Sequence, residues 1–177
     1  MSMMNKLLST NQRIFHLEDL RLLLGVRKPE TLRKRVYRYI KNGDLFSIQR
    51  GLYSIVLPEK LSPEEVGVFL CHDYCYLSLQ TILDRTGVIN GRSQYFTFIS
   101  NRPRRLSWNN FNYIYRQLKP EFLHNDFGVN LTGGVYTATT ERAVADMIYF
   151  NPVFHFDNLN VVNMDVVKKI QREVGYL

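Results

Sequence analysis

The chain has 177 residues, 45% of them hydrophobic and 22% charged, which is enough apolar material for one large domain or two small ones and argues against disorder. No apolar stretch approaches the roughly 20 residues that a membrane-spanning helix needs, and the first residues lack the apolar core of a signal peptide. We therefore expect a cytoplasmic protein that does not contact membranes.

The formal charge of +7 is confined to residues 1–57. This segment holds 11 of the 23 Lys and Arg residues but only 4 of the 16 Asp and Glu residues, and the 12 basic and 12 acidic residues of the remainder cancel. A basic segment joined to a neutral one is typical of a protein in which one part binds a polyanion.

Three helices are predicted in the basic segment. A short one covers Asn5–Gln12, and a second covers Leu17–Leu24, with leucines at helical spacing and Gly25 as a natural stop. The third begins at Pro29, because proline is favoured at the first helical position, and it runs to about Asn42.

The third predicted helix has two unlike faces. One carries apolar residues spaced three or four positions apart, namely Leu32, Val36, Tyr39 and Ile40. The other carries cations and hydroxyl groups, namely Thr31, Lys34, Tyr37, Arg38 and Lys41, with Arg33 and Arg35 at the flanks. A DNA recognition helix needs this division, since it packs by one face and presents cations on the other.

A hairpin is predicted after this helix. Two short alternating runs, Phe46–Ile48 and Leu52–Ile55, surround Gly51, which permits a tight turn with Gln49 and Arg50 at or near its tip. Three helices followed by such a hairpin are the elements of a winged helix-turn-helix domain. The wing of that domain can place an arginine on phosphate or in the minor groove.

These features together predict an interface with double-stranded DNA. Groove contacts are assigned to Thr31, Lys34, Tyr37 and Arg38. Phosphate contacts are assigned to Arg27, Lys28, Arg33 and Lys41, and wing contacts to Gln49 and Arg50. Three alternatives stay open: a merely solvated cationic face, RNA as the ligand, or a protein-interaction module that neutralises a partner toxin without specific DNA binding.

A change in charge density between Pro58 and Pro63 separates the predicted winged-helix domain, residues 1–57, from a second domain, residues 62–177. In the second domain, strands are predicted over Gln94–Ser100, Phe111–Leu118 and Val135–Ala138. Helices are predicted from Pro63, over Leu77–Leu83 with an end near Gly87, from Thr139 or Thr140, and over Met164–Val174. The predicted class is α+β, an N-terminal winged helix-turn-helix followed by a small mixed α/β domain.

Little in the second domain indicates catalysis. Cys71 and Cys75 are the only cysteines, and we expect both to stay free and to be buried or half-buried. A zinc site would need a second ligand cluster beyond His72 and Asp73. No phosphate loop or known hydrolase motif is present. We therefore expect no catalytic residue, metal or cofactor, with an active site assembled from distant residues as the open alternative.

A basic run, Arg102–Arg105, follows the strand predicted over Gln94–Ser100. It is either a solvated loop or an additional contact for an anion, such as DNA or an acidic partner surface.

Three segments are similar to a known family. Ile48–Tyr53 is an arginine-glycine-x-tyrosine hairpin, and in Tyr76–Leu83 with Gly87–Ile89 a serine opens a helix that ends at a glycine. Ala138–Tyr149 is close to the pattern A-T-P-E-K-A-L-x-D. In this order they resemble the AbiEi family of bacterial antitoxins, the transcription-regulator half of type IV toxin–antitoxin and phage abortive-infection operons.

The resemblance implies an autorepressor that binds inverted repeats in its own promoter. It also implies a partner, a nucleotidyltransferase-like toxin encoded by the neighbouring gene. On the family's pattern the segment Thr139–Tyr149 serves folding rather than catalysis, with Thr139 as the helix cap, Glu141 in the first turn and Arg142 paired with an acid.

Overall fold

The computed structural model describes residues 3–91 and 94–177, which form two compact units. The first unit extends to Ser62 and the second begins at Pro63. Helices and two β-sheets make up the described residues, so the mixed α/β class predicted from the sequence is confirmed. None of the helices in this part of the chain combines the length and the hydrophobicity that crossing a membrane requires.

The first unit contains three helices and a three-stranded antiparallel sheet with the strand order β1-β3-β2. Its elements are α1 (Met3–Leu8), β1 (Ile14–His16), α2 (Leu17–Leu24), α3 (Pro29–Lys41), β2 (Phe46–Gln49) and β3 (Leu52–Ser54). A short 3-10 helix, Pro58–Lys60, ends the unit.

The ends of α2 and α3 follow from local chemistry. The backbone N–H of His16 donates to Asp19 Oδ2 at 2.8 Å in the first turn of α2, and Gly25 ends that helix with φ 62°, a left-handed conformation that glycine adopts without strain. Pro29 occupies the start of α3, where its missing N–H leaves no bond unmade. Both helices therefore confirm the prediction to within one residue.

In the first unit one predicted boundary is wrong and one strand is missed. The helix predicted over Asn5–Gln12 stops at Leu8, because Thr10 bonds back to Leu7 O at 2.6 Å and Asn11 turns the chain with φ 55°. Strand β1, which pairs with β3, is not predicted, since three residues are too few to show an alternating pattern.

One hydrophobic core serves the first unit. Its buried members come from all three helices, β1 and the connecting segments: Leu7, Phe15, Leu20, Val26, Leu32, Val36 and Leu45. The predicted apolar stripe of α3 is only partly buried, since Tyr39 is half-buried and Ile40 is 36% exposed. The stripe reaches solvent near the end of α3, where the helix passes the core.

The second unit is built on a six-stranded sheet with the order β6-β7-β5-β4-β9-β8. The strands are β4 (Cys75–Leu77), β5 (Tyr95–Ser100), β6 (Arg104–Trp108), β7 (Phe111–Gln117), β8 (Val129–Thr132) and β9 (Val135–Ala138). The helices are α4 (Pro63–Cys71), α5 (Gln80–Arg85), α6 (Pro120–Leu123), α7 (Thr140–Phe150) and α8 (Met164–Val174). The β5–β7 and β4–β9 pairs are parallel and the others are antiparallel.

Helix α4 lies close against one face of this sheet. The hydroxyl of Tyr113 donates to Pro63 O at 3.0 Å, and that of Tyr115 donates to Gly67 O at 2.6 Å. A Cβ atom at Gly67 would lie 2.8 Å from the ring of Phe98, so only glycine permits this approach. Alternate residues of β7 therefore face α4, and those between them face the other side of the sheet.

Several predictions for the second unit are corrected. Leu77 belongs to strand β4, and α5 begins only at Gln80, because the backbone reverses at Leu79 with φ 55°. Arg104 and Arg105 begin strand β6 rather than a loop. Strands β4, β6 and β8 and helix α6 are not predicted, whereas α8 matches its predicted range.

Candidate nucleic-acid interface

Helix α3 is attached to the core of the first unit by one side only. Leu32 and Val36, one turn apart, are each 3% exposed and pack in the core, so they fix the helix axis and its rotation. All ten residues assigned to DNA contact are exposed: Arg27, Lys28, Thr31, Arg33, Lys34, Tyr37, Arg38, Lys41, Gln49 and Arg50. The side chain of Tyr37 is the most exposed large hydrophobic of the helix, at 68%.

The exposed cations of α3 have no acid to neutralise them. Within residues 3–91 and 94–177, none of the ten side chains assigned to DNA makes an ion pair or a hydrogen bond. Helix α2 differs, because Arg21 donates to Glu18 Oε1 at 2.7 Å. That hydrogen bond lowers the pKa of the Glu18 carboxyl and raises the pKa of Arg21. The positive charge of α3 is therefore available to an external anion.

The polar side of α3 forms one continuous surface. Its side chains border a shallow depression of about 570 Å³ lined by Thr31, Lys34, Arg35, Tyr37 and Arg38. Arg35 was placed at the flank by the sequence and was not assigned a contact, yet it borders the same depression. Its position four residues after Thr31 is the signal that could have assigned it to this surface.

The hairpin places its polar residues as follows. Gln49 is the last residue of β2, and Arg50 stands in the turn before Gly51, whose φ is 83°. The register shifts by one residue between Ser47 and Gln49, so a bulge precedes the turn. The carbonyl of Gly51 accepts from the N–H of Leu17 at 2.9 Å, so the turn is fixed to the start of α2.

Arg27 and Lys28 occupy the connection between α2 and α3. Lys28 precedes the first helical residue, and its carbonyl accepts from the N–H of Leu32 at 3.1 Å. These two cations therefore lie at the same end of α3 as Thr31, whereas Lys41 lies at the opposite end of the helix. The assigned residues thus extend over the whole length of α3.

The second unit contains a buried polar cluster around one ion pair. Arg142 and Asp146 are both 0% exposed, and Nε of Arg142 donates to Oδ1 of Asp146 at 2.8 Å. Asp146 also accepts hydroxyl hydrogen bonds from Tyr76 at 3.2 Å, Ser78 at 2.8 Å and Tyr176 at 2.6 Å. Burial, and then the charge of Asp146, raise the pKa of Tyr76 and of Tyr176.

The remaining donors of Arg142 are also used. Nη1 donates to Phe127 O at 2.8 Å and to Asn125 O at 3.1 Å, and Nη2 donates to the Tyr76 hydroxyl at 2.9 Å. The Thr139 side chain accepts from the Arg142 N–H at 3.2 Å and caps α7. The expectations that Thr139 is the cap and that Arg142 pairs with an acid are confirmed. Nη2 also donates to Phe122 O and to the Tyr176 hydroxyl, each at 3.5 Å, so the cluster joins distant segments and leaves no guanidinium donor for a ligand.

Cys71 and Cys75 are both free and buried, as predicted. A hydrogen bond with Cys75 lowers the pKa of the Cys71 thiol to about 7, and the bond to Cys71 and burial raise that of Cys75. In the described part of the chain, no group of three His, Cys, Asp or Glu side chains is placed to hold a metal ion.

The basic run Arg102–Arg105 divides into different environments. The Nη1 group of Arg104 donates to Cys71 O at 2.7 Å, and Nη2 lies 3.5 Å from Asp73, so this side chain is structural. Arg105 is exposed on the opposite face of β6. The solvated-loop interpretation therefore holds for Arg102 and Pro103, which are exposed outside any strand, and is wrong for Arg104 and Arg105, which belong to β6.

A comparison with models of known protein families finds none that matches this chain, and a search among curated proteins finds no similar sequence.

Proposed function

We propose that this chain is a DNA-binding transcriptional repressor, the antitoxin of a type IV toxin–antitoxin operon, and that its first unit is a winged helix-turn-helix domain. The single observation that supports this most is α3, which is anchored by Leu32 and Val36 and exposes a surface of cations that no acid neutralises. Such a helix can enter the major groove, which is about 12 Å wide and offers acceptors to arginine and lysine.

In this proposal the residues have separate roles. Arg38 and Lys34 donate to base-edge acceptors such as guanine O6 and N7, while Thr31 and Tyr37 make hydroxyl or apolar contacts beside them. Arg27, Lys28, Arg33 and Lys41 bind phosphates, and Gln49 and Arg50 contact the backbone or the minor groove from the hairpin.

The DNA sites and the toxin partner in this proposal come from the resemblance to AbiEi antitoxins. We propose that the protein acts in the cytoplasm on inverted repeats in its own promoter, and that the operon also encodes a nucleotidyltransferase-like toxin. We propose no enzymatic role, and the buried Arg142–Asp146 cluster of the second unit is assigned to folding, because its groups bond to protein partners. No cofactor or metal is required.

The test is fluorescence anisotropy of the full chain against a labelled duplex from upstream of its own gene, beside a scrambled duplex, at several salt concentrations. If about six cations contact phosphates, the plot of log K against log salt concentration should have a slope of about −5. Arg21→Ala is the matched control, since it removes a cation that Glu18 already neutralises. Equal affinity for both duplexes would contradict the repressor, and a flat salt response would favour the protein-interaction module.

A further inference from the structure

A concavity of about 530 Å³ opens on the second unit, within the roughly 300–1,000 Å³ typical of small-molecule sites. It lies on the face of the sheet opposite α4, because Tyr113 and Tyr115 bond to α4 and the residues that alternate with them line the concavity. The walls that matter here come from β5, β6, β7 and the region of α5, namely Gln80, Ile89, Tyr95, Arg105, Ile114 and Arg116.

The concavity has an uncompensated positive charge. Arg105 pairs in register with Ile114, and Arg116 follows two residues later on β7, so the two arginines are diagonal neighbours on the same face of the sheet. No Asp or Glu is among the described residues that line it, and in the same part of the chain neither arginine has an acidic partner. A single phosphate group can therefore bridge the two guanidinium groups.

Arg116 is held in place without losing its donors. Its Cζ atom lies 4.5 Å from the ring centroid of Phe150, so the guanidinium rests on an aromatic face. Stacking uses the plane of the guanidinium and leaves its N–H groups at the edge free to donate. A cation held in this way loses less side-chain entropy on binding a ligand than a free arginine does.

The remaining walls are apolar or amide. Tyr95, Ile89 and Ile114 offer surface against which a planar ring can lie, and the Gln80 amide supplies two N–H donors and an acceptor oxygen. We propose that this concavity binds a nucleoside phosphate, with the phosphate on Arg105 and Arg116 and the base against the apolar wall. The site contains none of the residues assigned to DNA, so the inference does not depend on the repressor function.

Duplex DNA is the less favoured ligand here. A duplex presents its phosphates on a convex surface and keeps its bases stacked, so it could reach the rim of the concavity but not the wall formed by Ile89 and Ile114. A nucleotide uses both the charge and the apolar wall.

The test is isothermal titration calorimetry of the full chain with AMP, GMP, ribose 5-phosphate and inorganic phosphate, at low salt. At least one nucleotide should bind with Kd below about 1 mM and at least about tenfold more tightly than ribose 5-phosphate or phosphate. Arg105→Ala should weaken that binding about tenfold. Arg172→Ala, which removes an exposed arginine of α8, should leave it unchanged.

Arg105→Ala is used for the test because Arg116→Gln would also remove a packing contact with Phe150 and could affect folding. Arg105 is exposed, so Arg105→Ala should keep the unfolding temperature of the parent chain and remains an interpretable variant. The proposal is overturned if no nucleotide binds below about 1 mM, or if Arg105→Ala binds as well as the parent. Arg105→Ala could instead weaken binding to a duplex without the operator sequence and leave nucleotide binding unchanged. That result would assign the concavity to DNA and overturn the proposal.

Discussion

The arginines of α3 and Arg142 of the second unit carry the same group in opposite surroundings. Arg33 and Arg38 are exposed and have no partner among the described residues, whereas Arg142 is 0% exposed and donates to a carboxylate, a hydroxyl and backbone carbonyls. The comparison shows that residue type alone does not distinguish an exposed, unpaired arginine from a structural one. The two kinds of arginine differ in whether the protein itself supplies hydrogen-bond acceptors for the guanidinium group.

The largest effect is expected from Arg142→Ala. This change leaves Asp146 buried without its cation, which costs about 3–5 kcal/mol in proteins, and it also removes donors to the backbone. The free energy of unfolding of the second unit, measured with urea, should fall by that amount. Arg38→Ala should not change it, because Arg38 is exposed and unpaired.

The double variant Arg142→Met with Asp146→Leu separates the charge from the packing. It removes both ions, so it should be less destabilising than Arg142→Ala alone. If Arg142→Ala unfolds at the same urea concentration as the parent chain, the assignment of a structural role to Arg142 is wrong.

The second expected effect is loss of stability at alkaline pH. Burial and the charge of Asp146 raise the pKa of Tyr76 and Tyr176 in the folded chain. Near pH 10 the unfolded chain begins to release tyrosine protons that the folded chain retains, so stability is full below that pH and falls as the pH rises.

The decline should reach about 1.4 kcal/mol per pH unit for each affected tyrosine. Urea unfolding at several pH values above 9 measures it, and absorbance near 295 nm reports tyrosinate. Tyr176→Phe should make the pH dependence shallower. An unchanged unfolding free energy up to pH 11 would show that the folded tyrosines ionise normally.

The next effect concerns binding. Arg38→Ala should weaken operator binding by about 1–3 kcal/mol and relax selectivity at one base pair, because a bidentate base contact is lost. Arg33→Ala should weaken binding to all sequences and reduce the salt slope by about 0.9. Anisotropy on single-base operator variants distinguishes these results, and equal losses on every sequence would assign Arg38 to phosphate.

The smallest effect is expected from Thr139→Ala. It removes the side-chain acceptor for the Arg142 N–H at the start of α7 and should cost about 1 kcal/mol. Thermal unfolding measures it, with Thr140→Ala as the control, since the side chain of Thr139 provides the cap. A larger loss in the control would show that the cap lies elsewhere.

The sequence predicts those elements whose ends carry their own chemical signals. Gly25 marks the end of α2 and Pro29 marks the start of α3. Gly175, with φ 92°, marks the end of α8. The two faces of α3 follow from periodicity, because burial of Leu32 and Val36 fixes which side is exposed. The candidate interface could therefore be located without a structure.

Other features depend on contacts between distant segments. Strand β4 lies in a continuous apolar run, and only its pairing with β5 and β9 separates Leu77 from the helix that follows. The partners of Arg142 include Tyr76, 66 positions away, which periodicity cannot indicate. The sequence favours a loop at Arg104 and Arg105 because both are charged. Only their pairing with β7 shows that they begin strand β6.

Gly67 restricts how this chain can change over evolution. A Cβ atom there would lie 2.8 Å from the ring of Phe98 and 2.9 Å from that of Tyr113, so a larger residue forces the helix away from the sheet or requires smaller residues beneath it. Among homologous chains we expect glycine at this position wherever both aromatic rings are kept. Where glycine is replaced, we expect a compensating reduction at position 98 or 113, so these three positions should vary together.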